Sequence, residues 1–194
     1  SFFVDEIAVA EGSLSKKAEF LTKYCNIKQN SSIAWLEYTT VDSAGVEKTL
    51  EGFRDCYAVG GIDLSQTTDL TAASVVIEKE GKLYAFTQFF MPRGRIEHLQ
   101  ATDGVPYDIF VKKGLITLSG ENYVDYHDVY SWFTMLLEVY GIRPLKIGYD
   151  RYSAQYLITD MANYGFHMDD VYQGENLTPV IREFEGIIKD GNFK

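Results

Sequence analysis

Apolar and polar positions fall into two regimes along this chain, with helical spacing before Tyr57 and mostly short alternating runs after it. Leu14, Ala18 and Leu21 recur at three to four residues behind Ser13 and Ser15, either of which can cap a helix. The polar stretch Asn26 to Ser32 breaks that pattern, and Ile33-Ala34-Trp35-Leu36 resumes a short apolar helical patch. Residues 1–56 therefore read as a leading segment distinct from a sheet that begins at Tyr57. Tyr57 to Asp63 is a buried strand ending in a carboxylate, followed by the polar turn Gln66-Thr67-Thr68-Asp69. Thr71 to Glu78 and Leu83 to Phe90 are two strand-like runs around Glu80-Gly81-Lys82, a hairpin signal. Met91-Pro92 stops the second of them.

Beyond the hairpin the period changes again. Arg93 to Thr102 and Pro106 to Lys112 read as short helices split by Asp103-Gly104, and Leu115 to Leu118 as a short strand. Asp125 is placed to cap a helix running to Tyr140, where Gly141 stops it. Lys146 to Asp150 is a strand, Ser153 to Tyr164 a helix ended by Gly165, Met168 to Tyr172 a last strand, and Pro179 to Lys189 a last helix. A hairpin followed by alternating helix and strand predicts an α/β fold, a mixed sheet with helices on both faces.

With 194 residues and 46% apolar content the chain can bury a core in one domain plus an extension. No run of 18 apolar residues is present, which argues against a membrane-spanning helix. The start Ser-Phe-Phe-Val-Asp-Glu has no Met and no basic region, so it is not read as a signal peptide, and a fragment of a longer chain is expected. Cys25 and Cys56 are too few for a disulfide scaffold or a zinc site, and a reducing cytoplasmic setting is the default expectation. The net charge of −10 runs against phosphate binding, which usually shows a basic surface. An acidic metal site whose cations reverse the local charge, or a partner that supplies the DNA grip, would reconcile the two.

The candidate chemistry sits at strand ends. Asp63 closes the first strand, and Leu145-Lys146-Ile147-Gly148-Tyr149-Asp150 repeats the device with a second Asp. A single strand-end Asp is ordinarily a turn former or a helix cap. Two on one sheet can share divalent cations, the hardware of phosphodiester hydrolysis. Asp69 reads equally as an outer-shell residue or a hairpin-turn residue, and Asp169-Asp170 as a strand-end turn. His98, His127 and His167 lack ligand spacing. Arg93, Arg95, Lys112 and Lys113 form a modest basic cluster, and Arg151 could reach a phosphate or hold Asp150.

Gly61-Ile62-Asp63-Leu64-Ser65 with Asp69-Leu70-Thr71-Ala72 resembles the nuclease domain of the large terminase subunit of tailed bacteriophages. Phe89-Phe90-Met91-Pro92, Asp103-Gly104-Val105-Pro106-Tyr107, Gly148-Tyr149-Asp150-Arg151 and Leu177-Thr178-Pro179 extend the match over roughly residues 15 to 194. The resemblance implies a ribonuclease H-like fold over 57–194, with 1–56 leading toward an ATPase domain. No GxxxxGK[ST] phosphate loop is present, so that motor is not in this chain. It also implies Mg²⁺- or Mn²⁺-dependent cutting of double-stranded DNA, with Asp63 and Asp150 as catalytic metal ligands. Arg93, Arg95 and Arg151 become candidate DNA contacts.

The family's third acid lies later than Glu183, Glu185 or Asp190, so the nuclease domain is expected to be truncated at Lys194, and those three read as a solvated helix face. The partners implied are the ATPase domain, a small terminase subunit and a portal protein, in the cytoplasm of an infected or lysogenic bacterium. Two alternatives stay open. One is a docking module with incomplete chemistry. The other is an actin-like or sugar-kinase ATPase, which shares the opening strand but needs Gly-rich motifs not found here.

Overall fold

The computed structural model of the chain describes residues 35–64, 70–150 and 154–194. After a short helix, α1 (Tyr38–Ala44), and a 3₁₀ turn at Leu50–Phe53 come three strands: β1 (Tyr57–Asp63), β2 (Thr71–Lys79) and β3 (Lys82–Met91). A 3₁₀ turn at Arg93–Arg95 leads into α2 (Ile96–Asp103), α3 (Tyr107–Lys112) and β4 (Ile116–Leu118). The remainder alternates: α4 (Tyr126–Tyr140), β5 (Arg143–Asp150), α5 (Gln155–Tyr164), β6 (Met168–Val171) and α6 (Leu177–Lys189).

The strands form one six-stranded sheet in the order β4-β3-β2-β1-β5-β6. β1, β2 and β3 are antiparallel neighbours, while β5 runs parallel to β1 and β6 parallel to β5. The β2–β3 hairpin turns through Glu80 (φ 55°) and Gly81 (φ 74°), two left-handed residues whose twist matches that of the strands they join. The mixed sheet expected from the order of the periodicities is therefore present.

One face of the sheet carries the core. Thr71, Ala73, Val75 and Ile77 are fully buried on alternate positions of β2, and Ala58 and Ile62 are largely buried on β1. Val129, Trp132, Phe133 and Leu136 press onto them from α4, a stripe at the three-to-four spacing the sequence announces. Asp125 accepts a hydrogen bond from the His127 backbone N–H at 2.9 Å and starts that helix; Gly141 (φ 68°) ends it in the left-handed conformation. Phe53, before β1, is also in the core, its ring 4.9 Å from Tyr84 and 5.0 Å from Phe86. The opposite face exposes Tyr57 and Val59 of the central strand β1.

Three expectations shift. The helix near Trp35 begins at Tyr38, and Trp35 instead sets its ring 6.1 Å from Phe184 of α6. Ile33 and Ala34 lie outside the described residues. β5 starts at Arg143 rather than Lys146, because a register shift between Ala58 and Val59 accommodates Pro144, which has no N–H for the ladder. Asp169 and Asp170 lie within β6 and not in a turn, held by pairing with Gly148 and Tyr149. The final residues extend the edge of β3: Leu83 donates to the Asn192 carbonyl at 2.8 Å, and Lys194 to the Leu83 carbonyl at 2.8 Å.

Candidate functional site

β1 alternates strictly toward its end. Gly60 and Ile62 face the core, whereas Gly61 and Asp63 face the other side. Gly60 is bare because helix and sheet meet there: an added Cβ would stand 2.9 Å from Ile147 Cγ1 and 3.1 Å from Phe133 Cε1. The parallel register pairs Gly60 with Ile147, Gly61 with Gly148 and Ile62 with Tyr149. One step on, Asp63 comes level with Asp150 at the carboxyl ends of both strands and on the same face.

Neighbouring strands are about 4.8 Å apart, so the two acids leave the sheet from adjacent backbone positions. Asp63 is exposed and Asp150 half-buried. Both line a shallow open groove of about 340 Å³, together with Gly61, Ser74, Gly148 and Gln173. The carboxyl end of a parallel strand pair is where open α/β sheets place ligands.

Two carboxylates this close repel one another unless a cation sits between them. Hard divalent ions prefer oxygen donors, and Mg²⁺ commonly takes one or two carboxylates and completes its shell with water and substrate phosphate. The Asp63–Asp150 pair fits that chemistry. Among the described residues no group of three or more His, Cys, Asp or Glu is placed to hold a metal, so the described donor set has these two acids.

The other candidate residues scatter in role. Asp63 pairs with Ala72, which pairs with Phe89, so β3 leaves the sheet at the same end as the acids. Arg93 and Arg95 follow directly, Arg93 exposed and Arg95 half-buried. Lys112 is partly committed to Asp108, 3.2 Å away on the same helix. Arg151 and Asp69 lie outside the described residues. Asp169 is engaged by Lys146 at 2.9 Å, and this hydrogen bond holds its carboxyl below the ordinary 3.8.

His98, His127 and His167 are exposed, and His127 stacks on Tyr130 at 5.5 Å. On α6, Glu183 is exposed and Glu185 pairs with Lys189, and neither lines the groove. A roomier cleft of about 480 Å³ between α4 and α5 is lined by Tyr130, Tyr156 and Tyr164 with Asp125 and Asp160. It lacks two acids on adjoining strands.

Ser74 and Gln173 line the groove without any sequence signal that singles them out. A signal did exist for the paired glycines. Gly61-Ile62-Asp63 and Gly148-Tyr149-Asp150 share the pattern Gly-X-Asp, which in a strand puts glycine and acid on one face.

Comparison with known proteins finds relatives among phage terminase large subunits. The terminase large subunits of Lactococcus phages p2 and SK1 are each 29% identical over 147 residues, covering 76% of this chain. The large subunit of Enterobacteria phage HK97 is 25% identical over 138 residues, covering 69% of it. The chain spans 27% of the length of each of these relatives. The crystal structure of the HK97 bacteriophage large terminase superposes with a TM-score of 0.68 at 20% identity, covering 98% of this chain and 40% of that one. That likeness shows the fold, the ribonuclease H-like mixed sheet of the terminase nucleases. The family described as the terminase large subunit, endonuclease domain, matches residues 3–194, and this chain belongs to it.

Proposed function

We propose that this domain is a divalent-metal-dependent endonuclease that cuts double-stranded viral DNA during genome packaging. The observation that carries the reading is the level placement of Asp63 and Asp150 on one face of β1 and β5. Both acids hold Mg²⁺ or Mn²⁺ and are the catalytic pair. The cation, when bound, polarises the scissile phosphate and lowers the pKa of an attacking water. Asp63 and Asp150 supply the fixed negative charge that draws it to the strand ends, and the shallow groove leaves a phosphate free to approach.

Arg93 and Arg95, leaving the sheet at the same end, contact DNA phosphates, and Arg151 does so beside Asp150. Further ligands come from the substrate or from the rest of the protein. Residues 1–56 connect toward an ATPase domain, and a small terminase subunit and a portal protein complete the assembly in the host cytoplasm. Among the described residues no helix is long and apolar enough to cross a membrane.

The test is cleavage of linear DNA by the full-length protein at matched Mg²⁺ or Mn²⁺ concentration. Asp63→Ala and Asp150→Ala are each expected to abolish cleavage. The apo melting temperature of Asp63→Ala should hold or rise slightly, since the substitution relieves like-charge repulsion. Unchanged cleavage by either variant would remove that residue from the active site.

A further inference from the structure

Among the described residues nothing requires Gly61 to be a glycine. It lies in the interior of a central strand, where glycine is less stable than residues with a side chain. It is not among the residues with positive φ. A Cβ added to it meets nothing within 4 Å among the described residues, unlike Gly60 one position earlier, whose Cβ would press on Ile147 and Phe133. Its cross-strand partner Gly148 is bare on the same face, although there an added Cβ would stand 2.9 Å from Val171 Cγ2. Both glycines precede an acid by two residues and line the same groove. Among the described residues, packing accounts for Gly60 and in part for Gly148 but not for Gly61.

A bare strand position beyond the register shift at Ala58 and Val59 is a place where a ligand can come close to the backbone. We propose that Gly61 is a substrate-positioning residue. The sugar–phosphate backbone next to the cut phosphate lies flat on β1 over Gly61, and a side chain there would lift it off the acids. The inference rests on the nuclease reading of Asp63 and Asp150 and adds to it the place where the flanking nucleotide sits. Ser74, paired with Gly61 and hydrogen-bonded to Thr87 at 2.7 Å, bounds that space on the β2 side.

The experiment compares Gly61→Ala and Gly61→Val with wild type and Asp63→Ala in the full-length protein. It reads melting temperature, Mn²⁺ binding, duplex affinity in Ca²⁺ and steady-state cleavage. Gly61→Val should keep or raise the wild-type melting temperature and keep the Mn²⁺ affinity while losing about a hundredfold in kcat/KM, the scale expected for displacing a reacting group by about 1 Å. Duplex affinity should fall with it, and Gly61→Ala should lie between.

Wild-type cleavage and duplex affinity in Gly61→Val, with Asp63→Ala inactive, would overturn this inference and leave the nuclease reading standing. A melting temperature that falls in step with activity would assign the space to protein packing and also overturn it. Wild-type cleavage in Asp63→Ala would overturn the underlying reading instead.

Discussion

Lys146 and Asp169 show how a charged pair can sit on the candidate site's own face without joining it. The two side chains meet at 2.9 Å across β5 and β6, and Lys146 holds the Asp169 carboxyl below its ordinary value. A carboxyl with a lowered folded value contributes stability that is present above the unfolded value, and lost as pH falls through the folded one. Lys146→Met should therefore lower the melting temperature above about pH 4 and converge with wild type in more acidic solution. Parallel curves across that range would show that the pair contributes nothing.

This contact was not legible in the sequence, because the pairing of Gly148 with Asp169 joins segments from different parts of the chain. The strand-end placement of Asp63 and Asp150 was legible. Each closes an apolar run of strand period, and a carboxylate at the end of such a run needs a reason to be there.

Among the elements, α4 was read almost to the residue, since its signals are local. Asp125 offers a cap, Gly141 a stop, and four apolar positions between them share one stripe. Asp125→Ala should cost about 1 kcal/mol, the usual effect of losing a capping acceptor. Phe133→Ala should cost about 3–5 kcal/mol, because Phe133 is fully buried between Gly60 of the sheet and the Phe166 ring. Chemical denaturation of the two variants checks both values, and a Phe133→Ala cost below that of Asp125→Ala would place the core elsewhere.

β5 was harder to read. Pro144 argues against a ladder, and only the irregular register with Ala58 and Val59 makes room for it. β6 was found, yet its two acids looked like a turn because their partners on β5 are invisible locally.

At the scale of the molecule, a net charge of −10 gives the chain little long-range attraction for DNA. The proposed DNA contacts are local: Arg93 and Arg95 leave the sheet at the end where Asp63 and Asp150 stand. Contacts of this kind reach phosphates and read no base edges, and no described element resembles a groove-reading helix with basic positions. Cleavage by the full-length protein is therefore expected to be largely independent of sequence and to weaken steeply with salt. Mapping cut ends on linear plasmid DNA at two salt concentrations checks both. One dominant cut site produced without partner proteins would reveal a recognition element.

The central claim, that Asp63 and Asp150 together hold a divalent cation, is tested most directly by anomalous diffraction from crystals of this domain soaked in Mn²⁺. The predicted result is an anomalous peak lying between the two carboxylates, at coordination distance from both. The peak should vanish in Asp63→Ala and Asp150→Ala crystals soaked in the same way. Mn²⁺ bound elsewhere while the space between Asp63 and Asp150 stays empty, or a peak that persists in both variants, would contradict the claim.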